Sequence, residues 1–305
     1  MASHQQSTQE ICDLESRKKH EESVKRNPHP DFKAIEASRP RFEKDSEGGA
    51  WTSTQTPNPD WSFGEGGNDG GASLEKKHVE IDPYEDGRPS VLNYKLMISG
   101  IVPRPIGFLS TLSADEKNPN LAPFSFMNMV NYDPPMFTVG FTGCGIADAK
   151  DTLRNLVDTK ECVLNIISEH FVEAANSTSI NAPPSVNEWT VSGLHPAPST
   201  HVLPCRVQES IFSVECRLAS TTESESKDPE KAGKKSGTLA VLEGVNFWVR
   251  EDAVNEEKNI IDPAVLKPVT RLGGITYGRV TRGFELLRPR LESWEDAQKE
   301  RNQAE

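Results

Sequence analysis

Hydrophobic residues are spread unevenly along this chain. From Met1 to about Leu74 they are isolated in sequence that is first charged and then rich in Gly, Ser, Thr, Asn and Pro, with no sustained helical or strand period. The pattern predicts a mostly extended, disordered arm over residues 1–75, in which Phe32, Trp51, Trp61 and Phe63 stand out as aromatic anchors that can dock on a folded body. The glycine cluster from Gly64 to Gly71 has neither the GxGxxG order nor a strand before it. It therefore reads as a flexible linker, not a phosphate loop.

Regular signals begin near residue 80. Ser90 is placed to cap a short helix carrying Leu92, Tyr94, Leu96 and Met97, which Gly100 would end in a left-handed conformation. A strand is predicted from Ile106 to Leu112, its start set by Pro103 and Pro105, which have no amide to donate. Period-two alternation marks half-buried strands at Phe137, Val139 and Phe141, at Phe212, Val214, Cys216 and Leu218, and at Leu239, Val241, Val245, Phe247 and Val249. Helical spacing predicts one helix from about Asp151, with Leu153, Leu156 and Val157 on one face, and a second after Ser168 with Phe171, Val172 and Ala175. The apolar run Cys162 to Ile167 between them is short enough for a central strand.

The strand pair 207–218 and 239–249 is joined by a polar stretch, 220–237, that reads as a mobile hairpin insertion. A charged tail, 291–305, follows, with a terminal helix through Trp294. Helices so few and irregular suggest a β barrel rather than a doubly wound sheet. The expected fold is mainly β, an antiparallel barrel with peripheral helices over residues 76–290.

Composition narrows the function. The chain has 305 residues, of which 35% are hydrophobic. That is enough for a good core, with more polar sequence than one domain needs. A formal charge of -12 argues against general affinity for nucleic acid or anionic membrane, both of which call for clustered Lys and Arg. The start MASHQQSTQE lacks the apolar stretch of a secretory signal, and no run is long enough to span a bilayer, so a soluble cytoplasmic protein is expected. The five cysteines are odd in number and widely spaced, and read as free thiols, not as a disulfide framework or zinc site. No HExxH spacing and no GxSxG elbow is present, so neither a metal site nor a catalytic side chain is assigned.

Candidate chemistry is densest in VPRPIGFLST (Val102 to Thr111), NLAPFSFMN (Asn120 to Asn128) and KDT (Lys150 to Thr152). Arg104, Ser110, Thr111 and Lys150 are donors of the kind a phosphate accepts. Lys150, Asp151 and Thr152 fall where a helix should begin, with unpaired amides and a favourable dipole for an anion. Together these residues suit a phosphate monoester. The middle segment reads as a loop bent by Pro123 and feeding a strand, with Ser125 as a hydroxyl and with backbone groups able to meet the heteroatoms of a flat ring. Each residue taken singly also has an ordinary role: Arg104 in an ion pair, Ser125 in a turn, Asp151 or Thr152 as a helix cap.

The order PRPIGFLST, NLAPFSF, DPP before a strand (Asp133 to Pro135), KDT and a late RLGG (Arg271 to Gly274) resembles the flavin reductase-like family with the FMN-binding split-barrel fold, over roughly residues 80 to 285. The resemblance implies a Greek-key-like split β-barrel that forms a homodimer, with FMN at or near the subunit interface. It implies that Ser110, Thr111, Lys150 and Thr152 contact the phosphate and ribityl chain, next to Asp151, and that Asn120, Leu121, Ala122, Pro123 and Ser125 line the isoalloxazine. Arg104 and Arg271 carry over as further cations, with the dimer interface as the other role open to Arg271. The long arm and the insertion after Ala219 depart from the compact family pattern.

The activity implied is hydride transfer from NADH or NADPH to flavin, in which the cofactors supply the redox chemistry and no acid and base pair is needed. Rival readings are a flavin-dependent oxygenase acting on a small organic substrate, a non-enzymatic FMN electron carrier, and a β-rich interaction module without flavin.

Overall fold

The computed structural model describes residues 15–19, 21 and 22, 27–42, 51–183 and 186–304. Contacts divide the chain into two units. One holds the described residues up to Phe42 together with Gly87–Arg279, and the other holds those from residue 51 to Asp86 with Val280 onward.

The larger unit is built on one antiparallel sheet of seven strands. In chain order these are β1 (Gly107–Leu112), β2 (Pro119–Phe124), β3 (Met127–Tyr132), β4 (Pro135–Thr142), β5 (Glu161–Ile166), β6 (Phe212–Glu225) and β7 (Lys235–Val249). Their spatial order is β2-β1-β5-β6-β7-β4-β3. The sheet curls until its ends approach: Phe124 of β2 and Phe141 of β4 meet edge to face with ring centroids 4.8 Å apart, and Gly140 N–H donates to Phe126 O at 2.7 Å. This is the expected mainly β, split-barrel architecture.

Pleating explains why β1 reads as an unbroken apolar run. Leu109 faces the barrel interior with Leu164, Val214 and Leu242, whereas Phe108 faces an outer cluster with Leu121, Ile167, Phe171 and Trp189. Helix α1 (Ser90–Gly100) precedes the barrel, and α2 (Asp151–Thr159) plugs it with Leu153 and Leu156. Each of these buried leucines contributes about 2 kcal/mol through lost apolar exposure. Two short helices, α3 (Val172–Ser177) and α4 (Glu188–Ser192), belong to the outer layer, where Ala175 and Trp189 join the cluster.

Several elements differ from the sequence pattern. Residues 119–124 form a strand where a loop was expected. β2 pairs only with β1, and such an edge position tolerates Pro119 and Pro123. In β7 the buried positions are Thr238, Ala240 and Leu242, whereas Leu239 is exposed. The larger apolar residues occupy the opposite face, and the register against β6 shifts between Val241 and Leu242. The polar stretch is ordered as a ribbon, with β6 continuing to Glu225 and β7 starting at Lys235, and cross-strand hydrogen bonds hold it without a core of its own. Helix α1 is capped by Pro89 without a side-chain bond, ends at Ile101, and buries only Ile98.

In the smaller unit Thr52–Thr54 pairs in parallel with Arg282–Phe284, and Trp51 lies so close to Gly283 that a Cβ there would stand 2.5 Å from its ring. Phe63 packs between Trp61 and Trp294, with centroids at 5.9 and 5.6 Å. The terminal helix spans Leu291–Ala304. The described part of the arm also carries a helix, Phe32–Ala37, and a 3-10 helix, Ala72–Glu75, each held locally by an aspartate: Asp31 accepts from Ala34 N and Asp69 from Ser73 N. Cys144, Cys162, Cys205 and Cys216 are free thiols, and Cys12 lies outside the described residues.

Candidate functional site

A cavity of about 850 Å³ opens in the larger unit where the sheet ends approach. Its sheet wall is β2 from Asn120 to Phe124, the Ser125–Phe126 turn, and β4 at Gly140 to Thr142. The loop ending at Lys150 and the first turn of α2 form the next wall. The segment Thr178 to Ala182 and Tyr94 of α1 complete the surround. Residues 15–19 are helical and bring Ser16 and Arg17 to the rim, where Arg17 Nη1 donates to Ala182 O at 2.7 Å and to Asn181 Oδ1 at 3.4 Å.

The start of α2 carries the strongest chemical signal. Lys150 occupies the N-cap and, among the described residues, no side chain caps the helix, so its first amides, which have no intrahelical acceptor, are left for a ligand, and its dipole favours an anion. Arg154 folds back over this turn, with Nη2 donating to Ala149 O at 2.7 Å and Nη1 to Asp151 Oδ1 at 3.3 Å. Thr152 is held from the sheet side: Asn120 Nδ2 donates to its Oγ1 at 2.8 Å. Thr111 stands behind, fully buried, accepting from Asn120 Nδ2 at 3.4 Å and Asn155 Nδ2 at 3.3 Å. The arrangement offers backbone donors, a lysine and hydroxyls at one end, and Phe124, Phe126 and Phe141 at the other.

Glu188 also faces the cavity and is buried. Burial pushes its carboxyl above the usual range. Its own backbone amide opposes the shift and the charge on Asp151 adds to it. A second, smaller cavity of about 150 Å³ lies beyond the helix start and is lined by Asp151, Asp158 and Glu188 among others.

Of the residues singled out in the sequence, Asn120, Ala122, Pro123, Ser125, Lys150, Asp151 and Thr152 come together on the cavity. The others do not line it. Ser110 and Leu121 pair across β1 and β2 on the outer face, the opposite side of the pleat from Thr111 and Asn120. Arg104 is buried and donates to Ile98 O, Ile101 O and Leu272 O at 2.6, 2.7 and 2.9 Å, fastening the end of α1. Arg271 stacks 4.5 Å over the Tyr277 ring and donates to Gly274 O.

Sequence comparison decides the family. A model of the flavin reductase like domain matches residues 99–268. This chain belongs to that family. Among relatives of this flavin reductase-like protein, an uncharacterized protein of Aquifex aeolicus is 35% identical over 185 residues, covering 60% of this chain and 88% of the relative. The uncharacterized protein YwrF of Bacillus subtilis is 34% identical, with coverages of 64% and 93%. Among solved structures, nitrilotriacetate monooxygenase component B from Bacillus cereus superposes with a TM-score of 0.63 at 29% identity, covering 69% of this chain and all of that one. The 2-nitrobenzoate 2-nitroreductase NbaA of Pseudomonas fluorescens gives 0.60 at 26%, with coverages of 70% and 98%.

Sequence reasoning missed Glu188, the 178–182 segment, Tyr94 and Arg17. Asn187 does signal a helix start, and its side chain accepts from Trp189 N at 2.9 Å. Nothing local signals that the residue after it faces a cavity.

Proposed function

We propose that this flavin reductase-like protein holds FMN in the cavity and accepts hydride on it from NADH or NADPH. The observation that carries the reading is the uncapped start of α2, with Lys150 at its N-cap, opening onto a cavity whose far wall is aromatic. Bound flavin would supply the two-electron chemistry. The chain's own work is binding and placement. The first amides of α2, Lys150 and the hydroxyl of Thr152 receive the phosphate. Backbone groups of Asn120 to Ser125 meet the ring edge, and Phe124 and Phe141 keep water from its face.

FMN fits better than FAD. A chain continuing past the helix start with a second phosphate would meet three carboxylates, Asp151, Asp158 and Glu188, against the single cation Arg154, around only about 150 Å³. The main cavity, at about 850 Å³, leaves room beside a flavin for a nicotinamide ring or another small substrate. The likeness to a nitroreductase favours, as a second reading, direct reduction of a small organic molecule at the same place.

A homodimer belongs to the same proposal. Leu96 and Met97 of α1 and Met129, Val130 and Tyr132 of edge strand β3 are exposed, and a second copy would cover them. Sedimentation of the full-length protein checks this, with a dimer mass expected and a monomer mass contrary.

The activity is tested by adding NADH and then NADPH, without oxygen, to protein carrying FMN. Bleaching of the flavin absorption, with turnover when air is admitted, supports the reductase. Bound flavin that neither nucleotide reduces would point to an electron carrier or to a different donor.

A further inference from the structure

The charged ribbon of β6 and β7 reaches the cavity through the loop 143–149. Glu223 Oε1 accepts the Ile146 amide at 2.7 Å, Gly143 N–H donates to Ser236 O at 2.9 Å, and Thr238 Oγ1 donates to Cys144 O at 3.3 Å. The packing leaves no slack: a Cβ on Gly145 would stand 2.6 Å from Glu223 Oε1 and 2.7 Å from Lys235 Cβ. This loop gives Cys144, Asp148 and Ala149 to the cavity wall and ends at Lys150.

Gly143 sits at a φ of +82°, and with Gly145 it makes the loop backbone conformationally permissive. Among the described residues no side chain caps α2 to compensate. The ribbon holds the middle of the loop at Ile146 and Arg154 holds its end at Ala149, and together they set the path of the chain into the helix start. We propose that Glu223 is a positioning residue for flavin binding: its carboxylate holds the Ile146 amide, and through it places Lys150 and the first amides of α2 toward the phosphate. The inference rests on the reading of the cavity as an FMN site.

Full-length wild type, Glu223→Ala and Glu223→Gln are compared by quenching of FMN fluorescence, with thermal melts and amide exchange at Ile146 measured without flavin. Glu223 is exposed, so both variants are expected to fold with wild-type melting behaviour. Glu223→Ala is expected to raise the FMN Kd about tenfold and to speed exchange at Ile146, whereas Glu223→Gln, whose amide oxygen still accepts from Ile146, stays within about twofold of wild type. Wild-type affinity in Glu223→Ala, or equal loss in both variants, overturns the proposal. If wild type itself binds no FMN, the flavin reading falls, and unchanged exchange at Ile146 in Glu223→Ala would then dispose of the positioning role as well.

Discussion

Two buried glutamates of the larger unit have opposite surroundings. Glu215, in β6, is fully buried, and its carboxylate accepts from Trp248 Nε1 at 2.6 Å, Thr200 N at 2.9 Å, Asn246 Nδ2 at 3.1 Å and His201 N. Burial works against its charge as the largest single effect, yet the four donors together, led by Trp248, hold it down at about 2. Glu188 has no such set of donors, and burial leaves its carboxyl raised. A carboxylate that accepts four hydrogen bonds, three on Oε1 and one on Oε2, fastens the 200–201 loop to the sheet. Glu188 instead lines open volume, at the wall of the cavity.

Breaking the first region has the largest expected effect. Glu215→Ala leaves four donors facing a void and should cost about 3 to 4 kcal/mol in urea unfolding. Acid sharpens the contrast. The Glu215 carboxyl lies at about 2 when folded against 4.5 as an ordinary value, so its contribution is present above the higher figure and lost as pH falls toward the lower. The difference corresponds to about 3 kcal/mol. Glu188 acts with the opposite sign: its raised folded value makes its contribution present at low pH and lost as pH rises through that value. Glu188→Gln should therefore remove the part of the stability that wild type loses as pH rises through the carboxylate range, read in urea unfolding across that range.

In the second region, Lys150→Ala should weaken FMN about tenfold, read by fluorescence quenching, with little change in melting. Thr111→Val removes the acceptor behind Asn120 and should weaken FMN about threefold by loosening the wall. The smallest effect is expected at Ser110, whose hydroxyl is buried on the outer face with no hydrogen-bond partner among the described residues. Ser110→Ala should leave the FMN Kd within about twofold of wild type.

These contrasts also mark what was legible in the sequence. β1, β5 and α2 could be read because their burial leaves a one-dimensional trace, a short apolar run or a spaced pair such as Leu153 and Leu156. The same trace misleads in β7, which carries apolar residues on both faces, so that alternation alone selects Leu239 and Val241 while the core takes Ala240 and Leu242. Charge hid the ribbon, since its strands are held by backbone hydrogen bonds to each other and by bonds to the 143–149 loop, not by an apolar face.

Within the site, a run of motif residues such as Asn120 to Ser125 comes to the cavity as one strand and turn. Glu188, Arg17 and Glu223 reach their places by contacts far along the chain, as with Glu223 and Ile146. Pleating further divides Ser110 from Thr111, a consequence of strand geometry once β1 is paired with β2.

The most direct measurement is a calorimetric titration of the full-length protein with FMN and, separately, with riboflavin. If the start of α2 receives the phosphate, FMN should bind at least about tenfold more tightly than riboflavin, and raising the salt concentration should narrow the gap. Equal affinity for the two, or binding of neither, would contradict the assignment of the cavity.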